Sequence, residues 1–302
     1  MHAGLLGIEE LDRSEIEAIL TRAKDYQPMQ DHAFKRLDIL RGRMIVNLFF
    51  EASTRTRTSF EIAAKRLGAD AISITASGSS VSKGESLVDT LNTLAAMRPN
   101  AIVMRHAASG APHFLARHLP IPIINAGDGT HEHPTQALLD ARTILDNRPS
   151  LEGLRVAIIG DIAHSRVARS NIHLLAKFGV DIVLCGPASL VPPELAQIAP
   201  GVRITYDMSE AIRDADVIMM LRVQLERQHE AAFPAGEYFQ FYGLRQEHVD
   251  LAKPNAIVMH PGPINRGREI SSEVADSQRS VILNQVENGV AVRMAVLERI
   301  LA

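Results

Sequence analysis

At 302 residues the chain exceeds the size at which one hydrophobic core usually keeps growing, so two domains are the default. A hydrophobic fraction of 46%, 22% charged residues, a net charge of −3 and no Trp argue against a dedicated nucleic-acid binder. One cysteine, Cys185, excludes a disulfide framework; with no run near the ~18 apolar residues of a membrane span and no basic-then-apolar leader, the expected location is the cytoplasm, away from any membrane.

Ser14-Glu15-Ile16-Glu17 predicts the opening of a first helix, with Ile16, Ile19, Leu20 and Ala23 on one face. The apolar run 44–50 predicts a buried strand over 43–50, and a helix over about 54–67 follows, closed by Gly68. Between them lies Ser53-Thr54-Arg55-Thr56-Arg57-Thr58-Ser59-Phe60-Glu61. A strand-to-helix turn presents free backbone N–H groups and the positive end of a helix dipole, both of which attract anions. Hydroxyls there can donate to phosphate oxygens, and guanidiniums add a permanent, bidentate charge. The stretch therefore reads as a phosphate cradle built without glycines. A plainer reading makes Ser53 an N-cap and Thr58-x-x-Glu61 a capping box, which accounts for one or two residues but not for two interleaved arginines.

Strands and helices then alternate: a strand near 70–75, a helix over 85–97, a strand over 101–105, a short helix near 111–118, a strand over 121–125 and a helix over 134–147. Alternation of this kind implies parallel sheets in βαβ units, an α/β fold. The loop 77–85 is rich in hydroxyls and carries Lys83, but it has neither the spacing nor the order of a P-loop; it reads as a solvated loop or an anion-binding lid. Met104-Arg105-His106 ends a strand, where open α/β sheets bind ligands. In the turn 125–136, His131, Glu132 and His133 suggest a metal only weakly, because metalloprotease spacing and a third ligand group are missing. His133, at a helix start, is better suited to donate a hydrogen bond to a substrate carbonyl.

Asn147-Arg148-Pro149-Ser150 is a polar break and marks the expected domain edge. The expected division is 1–147, completed by the C-terminal helix 285–302, and 148–284. A second series begins with a strand at 155–160 and a helix over 165–178, with further strands at 181–185, 203–206, 216–221 and 256–260. Gly160-Asp161-Ile162-Ala163-His164-Ser165-Arg166 looks like a dinucleotide turn but lacks G-x-G-x-x-G, which argues against NAD; Arg166 instead suits a carboxylate. Arg222-Val223-Gln224 and His260-Pro261-Gly262-Pro263 each follow a strand. Gly262-Pro263 is also a possible cis turn, although cis X–Pro bonds are only about 5–6% of cases. A last amphipathic helix spaces Val290, Met294, Leu297 and Leu301 on one face.

Taken in order, Ser53-Thr54-Arg55-Thr56-Arg57, Met104-Arg105-His106, His133-Pro134-Thr135-Gln136, Arg222-Val223-Gln224 and His260-Pro261-x-Pro263 resemble the motifs of the transcarbamoylases, the aspartate/ornithine carbamoyltransferase family, along essentially the whole chain. The Arg222 element and the proline-rich His260 loop resemble the aspartate branch in particular. Ornithine enzymes carry Cys in a His-Cys-Leu-Pro loop, where this chain has Pro261.

The resemblance implies two parallel-sheet domains flanked by helices, with the C-terminal helix packed back on the first. It implies transfer of the carbamoyl group of carbamoyl phosphate to the amine of L-aspartate, giving N-carbamoyl-L-aspartate and phosphate, a step of pyrimidine synthesis that needs no cofactor or metal. Ser53, Thr54, Arg55, Thr56 and Arg105 would hold the phosphate, joined by Ser79 and Lys83 from a neighbouring subunit of a homotrimer. Thr56, Arg105 and His133 would polarise the carbonyl, while Gln136 and main-chain carbonyls near Pro261 and Gly262 would hold the amide. Arg166 and Arg222 would meet the two carboxylates of aspartate, assisted by Gln224 and Lys83. A regulatory chain or a dihydroorotase partner is compatible with this picture. Two departures stand out: Gly262 replaces a leucine common in relatives, and Ser80 competes with Ser79 for the phosphate role. A carbamoyltransferase for another amino acid and a catalytically silent phosphate-binding subunit are the competing readings.

Overall fold

The computed structural model describes residues 4–27, 36–75, 86–223 and 235–302. The chain forms two compact units, Met1–Arg142 with Val286–Ala302, and Thr143–Gln285.

In the first unit α1 (Arg13–Tyr26) precedes β1 (Met44–Phe49), α2 (Thr54–Arg66), β2 (Asp70–Thr75), α3 (Leu87–Ala96), β3 (Ala101–His106), α4 (Ala111–Ala116), β4 (Ile123–Asp128) and α5 (Pro134–Asn147). The cap of α1 is Asp12 rather than Ser14: Asp12 Oδ1 accepts from Glu15 N at 2.8 Å, and the Glu15 carboxylate returns to Asp12 N at 3.0 Å. The four strands form a parallel sheet in the order β2-β1-β3-β4. Strands β1, β3 and β4 are buried along most of their length, as the near-continuous apolar runs of a covered parallel sheet require. Strand β2 is the edge and leaves Ile72 about half exposed. At the other edge Leu5 pairs with Ile124, so the N-terminal segment covers backbone groups that β4 would otherwise present.

The second unit continues with β5 (Arg155–Ile159), α6 (Arg166–Ala176), β6 (Asp181–Cys185), a 3-10 turn (Pro193–Gln197), β7 (Val202–Thr205), α7 (Met208–Ile212), β8 (Val217–Met220), α8 (Ala235–Tyr242), α9 (Gln246–Val249), β9 (Ile257–Met259) and α10 (Ser272–Ala275). Its parallel sheet runs β7-β6-β5-β8-β9. Ala157, Ile159, Val183, Ile218, Met220 and Val258 fill one face of it, packed with α7 residues Met208, Ala211 and Ile212.

The last helix, α11 (Ile282–Leu301), buries Val290, Met294, Leu297 and Leu301. Its Glu298 accepts from Arg22 Nε at 2.6 Å and from Tyr26 Oη at 2.7 Å, and the Arg293 guanidinium lies 5.2 Å from the centre of the Phe60 ring. The C-terminal helix is thereby packed back on α1 and α2. The units divide within α5, after Arg142, and within α11, after Gln285. Among the described residues no helix is long and apolar enough to cross a membrane.

Candidate functional site

Strand order fixes where each unit can bind a ligand. In the first sheet the chain leaves β1 toward β2 on one side, then returns to place β3 on the other. Above the carboxyl ends of β1 and β3 the flanking connections diverge, and such a switch point is where open α/β sheets hold ligands. The stretch from Ser53 follows β1, and Arg105 sits at the end of β3, so topology brings both to this crevice. The second sheet repeats the arrangement between β5 and β8, which are followed by Arg166 and Arg222.

The start of α2 departs from ordinary capping. Ser53 occupies the N-cap position but makes no side-chain capping bond, and Glu61 turns to accept a hydrogen bond from the Ser73 hydroxyl instead. The plainer reading holds for the place of Ser53 at the N-cap but not for a side-chain capping bond there. No acid lies in the first turn, which holds Arg55 and Arg57 at the positive end of the helix. Each cation placed there opposes the helix dipole by about 0.3–1 kcal/mol, a cost that a bound anion reverses. Thr54 and Arg55 are exposed, Ser53 and Arg57 half-buried, and Thr56 buried.

Arg105, 15% exposed, reaches Glu51 with Nε at 3.5 Å and donates from Nη1 to Ala126 O at 3.3 Å. Glu51 was not legible as a site neighbour, although its place two residues before Ser53 is the signal that could have found it. Next to Arg105, His106 packs on Phe50 and accepts from Ala108 N at 2.9 Å through Nδ1. Burial holds its pKa below the ordinary histidine value.

The turn from β4 to α5 sends its polar residues in different directions. Asp128 is fully buried and accepts from Asn125 Nδ2, Gly110 N and His131 Nδ1, which explains why β4 runs to Asp128 rather than stopping at 125. Burial pushes the Asp128 carboxyl up, but hydrogen bonds from His131 and Asn125 outweigh it and leave the pKa lowered; the same bond raises that of His131. Glu132, 1% exposed, accepts from Ile8 N at 2.9 Å and Glu9 N at 3.1 Å, pinning the N-terminal segment. Among the described residues the ligand-capable set that converges is His113, Asp128 and His131, with atoms within 4.8 Å, not His131, Glu132 and His133. Its members are already engaged, Asp128 as above and His113 through Nε2 with Glu10 at 2.8 Å. We expect Glu132→Ala to lower the unfolding free energy by about 3 kcal/mol, because buried N–H groups lose a charged acceptor. Urea denaturation measures this, and a change below about 0.5 kcal/mol would show that other groups hold the segment.

His133 is 4% exposed immediately before α5, and its carbonyl accepts from Gln136 N at 2.9 Å. Gln136, 8% exposed, donates from Nε2 to Asp140 Oδ1 at 2.9 Å. Both residues follow β4, the neighbour of β3.

In the second unit Gly160 follows β5 with φ +139°, and a Cβ there would lie 2.9 Å from Leu221 Cβ. The glycine permits close approach of the β5 and β8 ends, which is its role in place of a dinucleotide fingerprint. Asp161, fully buried, pairs with His164 Nδ1 at 2.8 Å, and Ser165 caps α6 by accepting from Ala168 N at 3.1 Å. Arg166 is then the first residue of α6, 4% exposed, again in a first turn without an acid. Arg222 is half-buried just beyond β8.

After β9, Gly262 N donates to His260 Nδ1 at 2.8 Å, so the ring proton resides on Nε2, 3.2 Å from Glu269 Oε1. Gly262 has φ +67° and the Gly262–Pro263 bond is cis, the less common isomer. Pro261 and Gly262 are half-buried. Glu269 also accepts from Asn265 N at 2.6 Å and so tethers both ends of the turn; its distance in sequence from His260 hid this role. Ser79, Ser80, Lys83 and Gln224 lie outside the described residues.

A family model described as "Aspartate/ornithine carbamoyltransferase, carbamoyl-P binding domain" matches residues 4–146, and one described as "Aspartate/ornithine carbamoyltransferase, Asp/Orn binding domain" matches 152–300. The aspartate carbamoyltransferase catalytic subunit of Solibacter usitatus is 83% identical over 301 residues, covering 100% of each chain. That of Geotalea daltonii is 55% identical, covering 98% of this chain and 95% of its own. The ornithine carbamoyltransferase from Pyrococcus furiosus has a TM-score of 0.90 at 30% identity, covering 99% of this chain and 97% of that one. The aspartate transcarbamoylase from Trypanosoma cruzi, solved with carbamoyl phosphate and aspartate, has a TM-score of 0.88 at 33% identity, covering 100% and 96%. The chain belongs to the aspartate/ornithine carbamoyltransferase family.

Proposed function

We propose that this chain transfers the carbamoyl group of carbamoyl phosphate to the amine of L-aspartate, giving N-carbamoyl-L-aspartate and phosphate in pyrimidine synthesis. The fold alone does not choose the acceptor, since an ornithine enzyme and an aspartate enzyme have TM-scores of 0.90 and 0.88 with it. The observation that carries the choice is the 83% identity, over the full length of both chains, with an aspartate carbamoyltransferase catalytic subunit. Incubating the protein with carbamoyl phosphate and either aspartate or ornithine should yield carbamoylated product with aspartate only. Product with ornithine alone would overturn the acceptor, and none with either amine would favour a silent subunit.

In this reading Ser53, Thr54, Arg55, Thr56 and Arg105 hold the phosphate. The supporting argument is the switch point at which topology gathers them, together with an α2 start that tolerates two cations and no acid. Thr56, Arg105 and His133 donate toward the carbonyl oxygen, and Gln136 and the carbonyls of Pro261 and Gly262 accept from the amide. Donors aimed where negative charge grows are worth about 2.7–4 kcal/mol each in acyl-transfer precedents. Arg166 and Arg222 take the two carboxylates of aspartate in charge-assisted pairs, with Gln224 and Lys83 assisting. The amine attacks the carbamoyl carbon, a tetrahedral intermediate forms and phosphate leaves, accepting the amine proton. No protein nucleophile enters; the rate comes from holding two small anions together and from charge stabilisation.

Ser79 and Lys83 are assigned to this chemistry from a neighbouring subunit of a homotrimer in the cytoplasm, with a regulatory chain or a dihydroorotase as further partner. Mixing inactive Lys83→Ala chains with inactive Arg55→Ala chains should restore part of the activity, because some hybrid sites then carry both native residues. No recovery, with subunit exchange verified, would mean that each site lies within one chain.

A further inference from the structure

We propose that Asp140 is a positioning residue that locks the Gln136 side-chain amide with its oxygen toward the carbamoyl group. The proposal rests on the assignment of Gln136 to the carbamoyl amide.

An amide side chain is ambivalent, because its two ends are nearly equal in shape and opposite in hydrogen-bonding character. The carbamoyl –NH2 has only donors to offer, so the Gln136 amide can grip it only with Oε1. Rotation of that amide by half a turn would set two donors against each other. Asp140 stands one helical turn beyond Gln136 on α5, fully buried, with Oδ1 2.9 Å from Gln136 Nε2. An ionised carboxylate is an acceptor only, so the nitrogen end must face it and Oε1 is left for the substrate.

A buried carboxylate needs a compensating charge. Arg293 on α11 is 4% exposed, stacks on Phe60 and donates from Nη1 to Gly289 O at 3.0 Å. Burial brings its pKa down to about 10 while Asp140 pulls it up, so it remains a cation at neutral pH. Space for it comes from Gly289, where a Cβ would lie 2.6 Å from Arg293 Nη1. Phe60 belongs to α2, the helix that begins with the phosphate cradle.

The test compares dissociation constants for carbamoyl phosphate and acetyl phosphate, which carries a methyl in place of the amino group. In Asp140→Asn the new side chain can donate as well as accept, and the Gln136 amide is free to turn. Carbamoyl phosphate should then bind roughly tenfold more weakly while acetyl phosphate is unchanged, the loss of one oriented hydrogen bond. Gln136→Leu should show the same selective loss, and the double variant no more than either single one. Equal weakening of both phosphates by Asp140→Asn, or no weakening, would overturn the positioning role while a selective loss in Gln136→Leu kept the site assignment intact. No selective loss in Gln136→Leu would overturn the site assignment itself, and the proposal with it. Asp140→Ser provides the same comparison if the Asn variant does not fold, with acetyl phosphate binding as the check of folding.

Discussion

Arg55→Ala is expected to reduce kcat/KM for carbamoyl phosphate by about a thousandfold while leaving the folded state as stable as before, or slightly more so. The loss follows from removing a bidentate cation from the group that holds the transferred phosphate, where a single well-placed electrostatic contact is worth about 10²–10³ in rate. The effect on stability follows from position. Arg55 is exposed and stands in the first turn of α2, at the positive helix end, where its charge costs about 0.3–1 kcal/mol. Its loss relieves that repulsion, the usual exchange of stability for function at a binding site. Initial rates and a thermal melt on the same preparation measure the two halves. Activity within about threefold of the parent would remove the cradle from the mechanism, and a large drop in melting temperature would assign Arg55 a structural role.

Arg222→Ala is expected to raise KM for aspartate by roughly a hundredfold, the scale of a lost charge-assisted pair, with carbamoyl phosphate affinity unchanged. The separation has a structural basis, since Arg222 belongs to the second unit and the cradle to the first. Being half-buried beyond the end of β8, Arg222 can be truncated without opening the core. Arg222→Lys should recover only part of the loss, because an ammonium cannot grip a carboxylate with two parallel hydrogen bonds. Steady-state kinetics varying each substrate in turn would decide. Equal weakening of both substrates would count against a dedicated carboxylate role.

Local patterns in the sequence were sufficient for the strands and the longer helices, because covered parallel strands and amphipathic helices impose strong periodicities. They misplaced the cap of α1, where both Asp12 and Ser14 are competent and only the backbone path decides. They stopped β4 at 125, reading Asn125-Ala126-Gly127-Asp128 as a turn, because the buried partners of Asn125 and Asp128 come from elsewhere in the chain. Short helices such as α9 and α10 hold one turn each and carry too little pattern to register. The site was legible as clusters of polar residues after strands. Its organisation was not, since strand order determines which clusters meet at a switch point. Glu132 shows the limit most clearly: beside two histidines it suggested metal chemistry, yet its partners are backbone groups more than a hundred positions away.

The first unit takes its residues from both ends of the chain, whereas Thr143–Gln285 is one uninterrupted stretch. On a ribosome, which delivers residues from the N-terminus at about 5–20 per second, the second unit can close before the first is complete. Until α11 emerges, the first unit lacks the surface supplied by Met294 and Leu297 and the partners of Arg22 and Tyr26. Synthesis halted within α11 would therefore strike the first unit, leaving its apolar surface to chaperones and proteases while the later-made unit could still fold.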